Sequence, residues 1–154
     1  MILGFKEYFN NDLKRPTYFP EKILAPYYKT YTPGTPSLEI SYIPKLHSIR
    51  KGNRWKSGNS IQMATGVRTK RYNQFNRRID GLEKCISVQV IEIVYNDPNV
   101  LLKPMYVKVD GKKLNDSQID ILARNDGFES TQDFFNYFNE DFIGQIVHWT
   151  DLRY

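Results

Sequence analysis

The pattern of apolar and polar positions is clearest over residues 85–95, CISVQVIEIVY. β-Branched residues dominate this stretch, and Glu92 is its only charged residue. Such a run is typical of a strand that is buried in a sheet. We therefore predict a central strand here.

Shorter patterns predict further strands and one hairpin. The hairpin turns at Asp110-Gly111, a pair that supplies the positive backbone dihedrals of a two-residue turn. The other predicted strands cover residues 1–5, 38–43, 61–65 and 144–149. The first of them is expected to pair with a strand late in the chain.

Helical periodicity is confined to short segments. A helix of two turns is predicted to begin near Pro20, which the first turn tolerates. A second is predicted over residues 114–124, with Asn115 or Asp116 as its cap, and a third after Ser130. Their apolar faces consist of Ile119, Leu122 and Ala123, and of Phe134, Phe135 and Phe138. The chain is thus predicted to be one α+β domain, residues 1–154, with two to three short helices.

Glycine, proline and asparagine mark the predicted loops. Residues 25–36 read as a loop, and turn residues at 52–53 and 57–59 predict that residues 45–58 are mostly loop. Residues 68–78 are predicted to be a basic ribbon or loop. Binding groups are usually displayed on such segments.

Charge changes this picture, because the basic residues are concentrated in one stretch. Residues 40–79 contain no Asp or Glu, so all 17 acidic residues lie outside them. The same stretch holds ten of the 22 basic residues, namely Lys45, Arg50, Lys51, Arg54, Lys56, Arg68, Lys70, Arg71, Arg77 and Arg78. A segment of one charge sign favours an anionic ligand such as phosphate or nucleic acid, although a solvated basic face remains an alternative.

Several classes of function lack their sequence signals. The chain has no phosphate-binding glycine loop, no nucleophile elbow and no metal-spaced Cys/His cluster, so no metal and no cofactor are predicted. The single Cys85 and His148 are predicted to be core residues. No membrane span or signal peptide is recognisable, which predicts a soluble cytoplasmic protein.

One group of residues could carry out chemistry. Ser48 and Arg50 share a face if the chain is extended, and Lys45 converges with them if the chain turns. A lysine kept near neutral could deprotonate the serine, and Asp126 or Glu129 would complete the set. A loop that contacts phosphate is the alternative interpretation.

Four motifs resemble the ASCH domain of the PUA-like superfamily. They are KLHSIR from Lys45, RWKSG from Arg54, IEI from Ile91 and DGF from Asp126. The resemblance implies a small, mostly antiparallel β-barrel with a cleft that binds RNA or nucleotides. One branch of that family hydrolyses an acetylated cytidine with Lys, Thr and Glu, which would correspond to Lys45, Ser48 and Asp126 here. Ser and Asp depart from that pattern.

The first functional hypothesis is therefore a module that binds nucleic acid, RNA above all, or a nucleotide in a basic cleft around residues 45–71. Trp55 and Tyr72 would stack on bases, while His47 and Ser48 would bind a base edge. The expected phosphate contacts are Lys45, Arg50, Arg54, Lys56, Arg68 and Lys70. An amidohydrolase with Lys45, Ser48 and Asp126 as catalytic residues, and a module that binds an acidic protein, are the alternatives. The oligomeric state is left open.

Overall fold

The computed structural model describes residues 1–9, 12–27, 42–95, 104 and 106–154, and every structural statement below concerns them. Most of the predicted loop at 25–36 and of the predicted strand at 38–43 lies outside this range. The described strands are β1 (Ile2–Gly4), β2 (Tyr8–Phe9), β3 (Asp12–Pro16), β4 (His47–Lys51), β5 (Gln62–Thr65), β6 (Asn73–Gln74), β7 (Ser87–Val94), β8 (Tyr106–Val109), β9 (Lys112–Lys113) and β10 (Phe142–His148). The described helices are α1 (Phe19–Leu24), α2 (Asp116–Asn125) and α3 (Thr131–Tyr137).

The largest sheet is antiparallel throughout and has the order β4-β10-β7-β8-β9. The predicted central strand is confirmed as β7, which lies in the middle of that order. The hairpin is confirmed as well, since Asp110 (φ 48°) and Gly111 (φ 79°) both have positive φ. The local pattern of residues in the sequence therefore located β7 and the β8–β9 hairpin.

A smaller sheet has the order β1-β5-β6, and β2 pairs with β3 separately. The expectation that the first strand pairs with a late strand is wrong, because β1 runs parallel to β5 in the middle of the chain. The late strand β10 already has β4 on one edge and β7 on the other. It therefore has no edge left for β1.

Polar side chains of the large sheet connect it to the loop that holds Trp55 and to the smaller sheet. Gln145 in β10 accepts a hydrogen bond from the Trp55 backbone N–H at 2.9 Å and donates one to the Trp55 carbonyl at 3.1 Å. Arg50 in β4 donates from Nη2 to the carbonyl of Gly4 in β1 at 2.5 Å. Arg50 and Gln145 are opposite each other in the register and so lie on one face of the sheet.

Residues 45–58 are mostly loop, as predicted, but His47–Lys51 within them is an unpredicted strand that pairs with β10 over its full length. The strand places polar residues inside the protein, where His47 and Ser48 are as buried as Ile49. This strand therefore lacks the alternation of apolar and polar residues that marks a strand in a sequence. The turn residues around it led to the prediction of a loop.

The helices begin where the sequence predicts. Asn115 caps α2 and forms a capping box with Gln118, and Ser130 caps α3 by accepting from the Asp133 backbone N–H. The apolar faces that the sequence identified on both helices are buried. In the described part of the chain, no helix has the length and apolar character needed to cross a bilayer.

These features confirm an α+β fold with three helices and mostly antiparallel strands. The strands of the described residues form open sheets, and no closed barrel is found among them. The barrel implied by the family resemblance stays a prediction.

Candidate functional site

The centre of the candidate site is a buried ion pair between Lys45 and Asp126. The Lys45 Nζ donates to Asp126 Oδ1 at 2.6 Å and also to the Asp126 backbone carbonyl. Both residues are nearly inaccessible, at 2% and 3% exposed. The ammonium lies 4.5 Å from the centroid of the Phe19 ring, a cation–π contact.

Burial decides the protonation of this pair. It lowers the pKa of Lys45 to about 8, although Asp126 pulls in the opposite direction. Burial also raises the pKa of Asp126, but Lys45 and His47 outweigh it, so that this pKa lies below its usual value. The pair is therefore ionised at neutral pH, and the lysine titrates far closer to neutrality than an exposed one.

Backbone contacts bring Lys45 and Asp126 together from distant parts of the chain. The N–H of Lys45 donates to the Lys22 carbonyl at 3.1 Å, and the N–H of Leu46 donates to the Asn125 carbonyl at 2.7 Å. Gly127 has φ 88°, and a Cβ at this position would lie 3.2 Å from Lys45 Cδ. The Asp-Gly-Phe motif thus needs its glycine both for the turn and for room beside Lys45.

Lys45, Ser48, Arg50 and Asp126 line one small cavity, with Tyr137 beside them. Its volume of about 20 Å³ holds a single water-sized group. Ser48 is 3% exposed, and its hydroxyl has no hydrogen-bond partner within the described ranges. The predicted convergence of Lys45 and Ser48 is confirmed, and the catalytic role of these residues stays a prediction. Glu129 is an exposed partner of Arg15 instead.

His47 is buried in the interior, so the structure gives no support to its expected role at a base edge. The ring is fully buried, its Nε2 lies 2.7 Å from Tyr154 Oη, and its Nδ1 lies 3.5 Å from Asp126 Oδ1. Asn125 Nδ2 donates to the same Tyr154 hydroxyl at 3.0 Å. The sequence carried no signal for Tyr154 or Asn125, because their contacts with His47 exist only in the folded chain.

Trp55 is likewise not a stacking platform, because it is 1% exposed. Its backbone is held by Gln145, which keeps the ring in the core. Sequence composition identified an aromatic residue within a basic loop but could not indicate that the ring points inward. The exposed tyrosine of the predicted set is Tyr72, at 40%.

The predicted basic residues divide into two groups. Lys45 and Arg50 line the cavity, with Arg50 half-buried, whereas the others are exposed outside the strands and helices. The exposed group consists of the predicted Arg54, Lys56, Arg68 and Lys70, together with Arg71, which was not in the predicted site. None of these five forms a salt bridge with another described residue.

A groove beside the cavity was not predicted. It has a volume of about 300 Å³, and its walls include Glu7, Tyr8, Tyr18, Thr65 and Asn73. Tyr8 and Tyr18 are 48% and 43% exposed. Tyr18 adopts φ 52°, a backbone conformation that bulky residues rarely accept and that is enriched at functional sites.

The basic turn borders this groove directly. Thr65 and Asn73 are paired at the ends of β5 and β6, and both line the groove. The turn between them, residues 66–72, carries three exposed cations: Arg68, Lys70 and Arg71. Three positive charges therefore lie at the edge of a groove whose own walls hold carboxylates and tyrosines.

The remaining titratable core residues match their predictions. Cys85 is buried, and burial raises the pKa of its thiol. His148 is fully buried, and burial together with His47 lowers its pKa to about 3. Over the residues that the structure describes, no group of three or more His, Cys, Asp or Glu is placed to hold a metal ion.

Comparison with protein-family models, with curated proteins and with solved structures gives no match to this chain. The resemblance to the ASCH domain therefore rests on the four motifs alone.

Proposed function

We propose that the protein binds a nucleotide, free or within single-stranded RNA, with the base in the groove and the phosphates at the basic turn. The observation that carries this proposal is the position of the turn, residues 66–72, at the mouth of the groove. Phosphate needs exposed cations and a base needs an aromatic-lined space. In this protein the exposed cations of the turn are adjacent to the aromatic-lined groove.

The groove has the features of a base site. Its volume of about 300 Å³ is at the lower end of small-molecule pockets. The rings of Tyr8 and Tyr18 are available for stacking, in place of the buried Trp55. Glu7 and Glu21 supply acceptors for the amino group of a base, and Thr65 and Asn73 supply further polar groups.

The cavity at Lys45 contributes to the same site from its inner side. Phe5 packs against Phe75 of the groove at 5.7 Å between ring centroids, and the Arg50 guanidinium lies 5.1 Å above the Phe5 ring. Phe5 thus separates the two spaces. A polar substituent on the base would have to pass this ring to meet Lys45 and Ser48.

Titration of the protein with cytidine monophosphate and with a short single-stranded RNA, followed by NMR, tests the proposal. Replacing Tyr8→Ala removes a stacking contact of about 1–3 kcal/mol, so we expect affinity to fall about tenfold or more. The control is Tyr27→Ala, a tyrosine that is 36% exposed, against 48% for Tyr8, and that does not line the groove. Equal losses in the two variants would refute the groove, and no binding at low salt would favour the acidic-protein alternative.

A second candidate function is hydrolysis of an acylated base at the cavity, which would have to widen beyond one water-sized group to admit the acyl carbonyl. The observation that favours it is the unpartnered Ser48 hydroxyl in a cavity that it shares with a lysine of pKa about 8. Ser48 would attack the amide carbonyl while Lys45 accepts its proton and passes it to the departing amine. Water would then hydrolyse the acyl-serine to acetate, and Asp126 would orient Lys45 throughout. About a tenth of such a lysine is neutral at pH 7, enough for a general base.

N4-Acetylcytidine is the substrate with which to test this candidate. We expect Ser48→Ala to abolish release of acetate while leaving ligand binding within about twofold. Ser57→Ala, an exposed serine outside the cavity, is the control and should retain full turnover. A Ser48→Ala variant with unchanged turnover excludes the serine as nucleophile.

A further inference from the structure

A line of polar contacts leads from the Lys45–Asp126 pair through His47 to Tyr154 and Asn125, and the one step in it that is not a hydrogen bond is the contact between Asp126 and His47 Nδ1. Asp126 Oδ1 lies 3.5 Å from His47 Nδ1, and His47 Nε2 lies 2.7 Å from Tyr154 Oη. Asn125 Nδ2 completes the line at 3.0 Å from the same hydroxyl. The proposed function uses only the first two residues, Lys45 and Asp126.

The two hydrogen bonds at the Tyr154 hydroxyl determine which nitrogen of His47 carries the proton. The amide nitrogen of Asn125 can only donate, so the Tyr154 oxygen accepts from it. Among the described residues, His47 Nε2 is the only acceptor within reach of the tyrosine proton, so Nε2 accepts it. A neutral imidazole that accepts at Nε2 carries its proton on Nδ1, and that N–H faces the Asp126 carboxylate.

We infer that Tyr154 is a positioning residue for the Lys45–Asp126 pair, because with Asn125 it holds His47 as the neutral Nδ1–H tautomer. Asp126 thereby faces a second donor without a second positive charge. The other tautomer would present a lone pair to the carboxylate at 3.5 Å and weaken the ionised pair. The functional part of this inference rests on the proposed function, since it assumes that Lys45 and Asp126 serve a ligand.

Tyr154 is held firmly enough to act in this way. Its backbone N–H donates to Gln89 Oε1 at 2.9 Å, and Gln89 Nε2 donates to the Tyr154 carbonyl at 3.0 Å. The tyrosine ring meets His47 edge-on, with 5.4 Å between centroids. These contacts leave the hydroxyl directed at His47 Nε2.

The tautomer can be read directly by NMR of protein labelled with ¹⁵N-histidine, in which two-bond N–H correlations distinguish Nδ1–H from Nε2–H. The chain contains only His47 and His148, so the spectrum holds two rings. We expect the Nδ1–H pattern for His47 in the free protein. The Nε2–H pattern, which predominates in free histidine, would overturn the inference.

Asn125→Asp reverses the direction of the hydrogen bonds at the Tyr154 hydroxyl, because a carboxylate at this position accepts the tyrosine proton. The Tyr154 oxygen must then accept from His47, so we expect His47 to change to the Nε2–H form or to carry both protons. Asn136→Asp places the same charge near the end of α3 and should leave His47 unchanged. A retained Nδ1–H pattern in Asn125→Asp would show that Asp126 alone selects the tautomer, and would overturn the role of Tyr154.

Tyr154→Phe is the second variant, in case Asn125→Asp disturbs folding. It removes the donor to Nε2, so we expect the Nδ1–H population of His47 to fall while His148 keeps its pattern. An unchanged His47 spectrum would contradict the inference. Affinity for cytidine monophosphate, measured on the same variants, should fall about tenfold with the change of tautomer. If the wild-type protein does not bind that nucleotide, the proposed function fails while the tautomer result stands.

Discussion

Lys45 and Lys70 belong to the same acid-free stretch of sequence, yet they lie in opposite environments. Lys45 is 2% exposed and bound to a carboxylate, whereas Lys70 is exposed on the turn between β5 and β6 and has no salt bridge to a described residue. In a low dielectric a charge requires a fixed partner, while water and salt ions neutralise an exposed one. One basic stretch therefore supplies both a buried ion pair and an exposed cationic turn, and we propose a binding role for that turn.

The largest difference in the free energy of unfolding is expected when one partner of the buried Lys45–Asp126 pair is removed. Asp126→Ala leaves Lys45 buried without its counter-ion, and we expect a loss of about 3–5 kcal/mol in the free energy of unfolding. Asp120→Ala is the matched control, because Asp120 belongs to an exposed ion pair. Its carboxylate lies 2.8 Å from Arg124 Nε, and both side chains are about half exposed. That exposed pair is expected to contribute less than about 1 kcal/mol. Urea unfolding measures both, and equal losses would contradict the contrast.

A smaller effect is expected from the glycine that lets Asp126 approach Lys45. Gly127→Ala introduces a left-handed alanine, at about 1–2 kcal/mol, and crowds Lys45 Cδ at 3.2 Å. Gly111→Ala introduces the same backbone strain with no atom within 4 Å of the new Cβ. We expect thermal unfolding to show Gly127→Ala as the less stable variant by about 1 kcal/mol or more. Equal stabilities would mean that the contact at Lys45 is easily relieved.

A third effect is the dependence of stability on pH that results from the buried His148. The pKa of His148 is about 3 in the folded protein and about 6.5 when unfolded, so the unfolded chain binds the extra proton between these values. Stability is therefore lost as pH falls below 6.5. Between pH 6 and 5 we expect wild type to lose about 1 kcal/mol relative to His148→Gln. Parallel pH profiles for the two proteins would argue against a neutral buried histidine.

The smallest effect on stability is expected at the exposed turn. Replacing Arg68, Lys70 and Arg71 together by Gln removes three charges that form no salt bridge in the described structure. We expect the free energy of unfolding to change by less than about 0.5 kcal/mol. A larger loss in urea unfolding would mean that these side chains stabilise the fold.

Local signals account for the parts of the fold that the sequence predicted. The caps Asn115 and Ser130, the Asp110-Gly111 turn and the β-branched run of β7 each act within a few residues, so their pattern survives in the sequence. The strand His47–Lys51 has no such signal, because its polar residues find partners that lie far along the chain.

The candidate site was predictable only where a motif carried it. Lys45, Ser48 and Arg50 were identified from their spacing, with Asp126 or Glu129 as the acid, and the family resemblance singled out Asp126. The structure brings Lys45, Ser48, Arg50 and Asp126 to one cavity. The burial of Trp55, the contact of Tyr154 with His47 and the groove at Tyr18 depend on how separate segments pack. No pattern along the chain encodes such contacts between distant segments.

The most direct test of the central claim is the salt dependence of RNA binding by the turn variant. Wild type, the Arg68→Gln/Lys70→Gln/Arg71→Gln variant and a control, Lys112→Gln/Lys113→Gln on the distant hairpin, are titrated against a fluorescent single-stranded RNA at several salt concentrations. We expect the turn variant alone to lose affinity, and the slope of log affinity against log salt to fall by about 2, since each lost phosphate contact removes about 0.7. Salt-insensitive binding, or equal losses in the two variants, would contradict a nucleotide site at the basic turn.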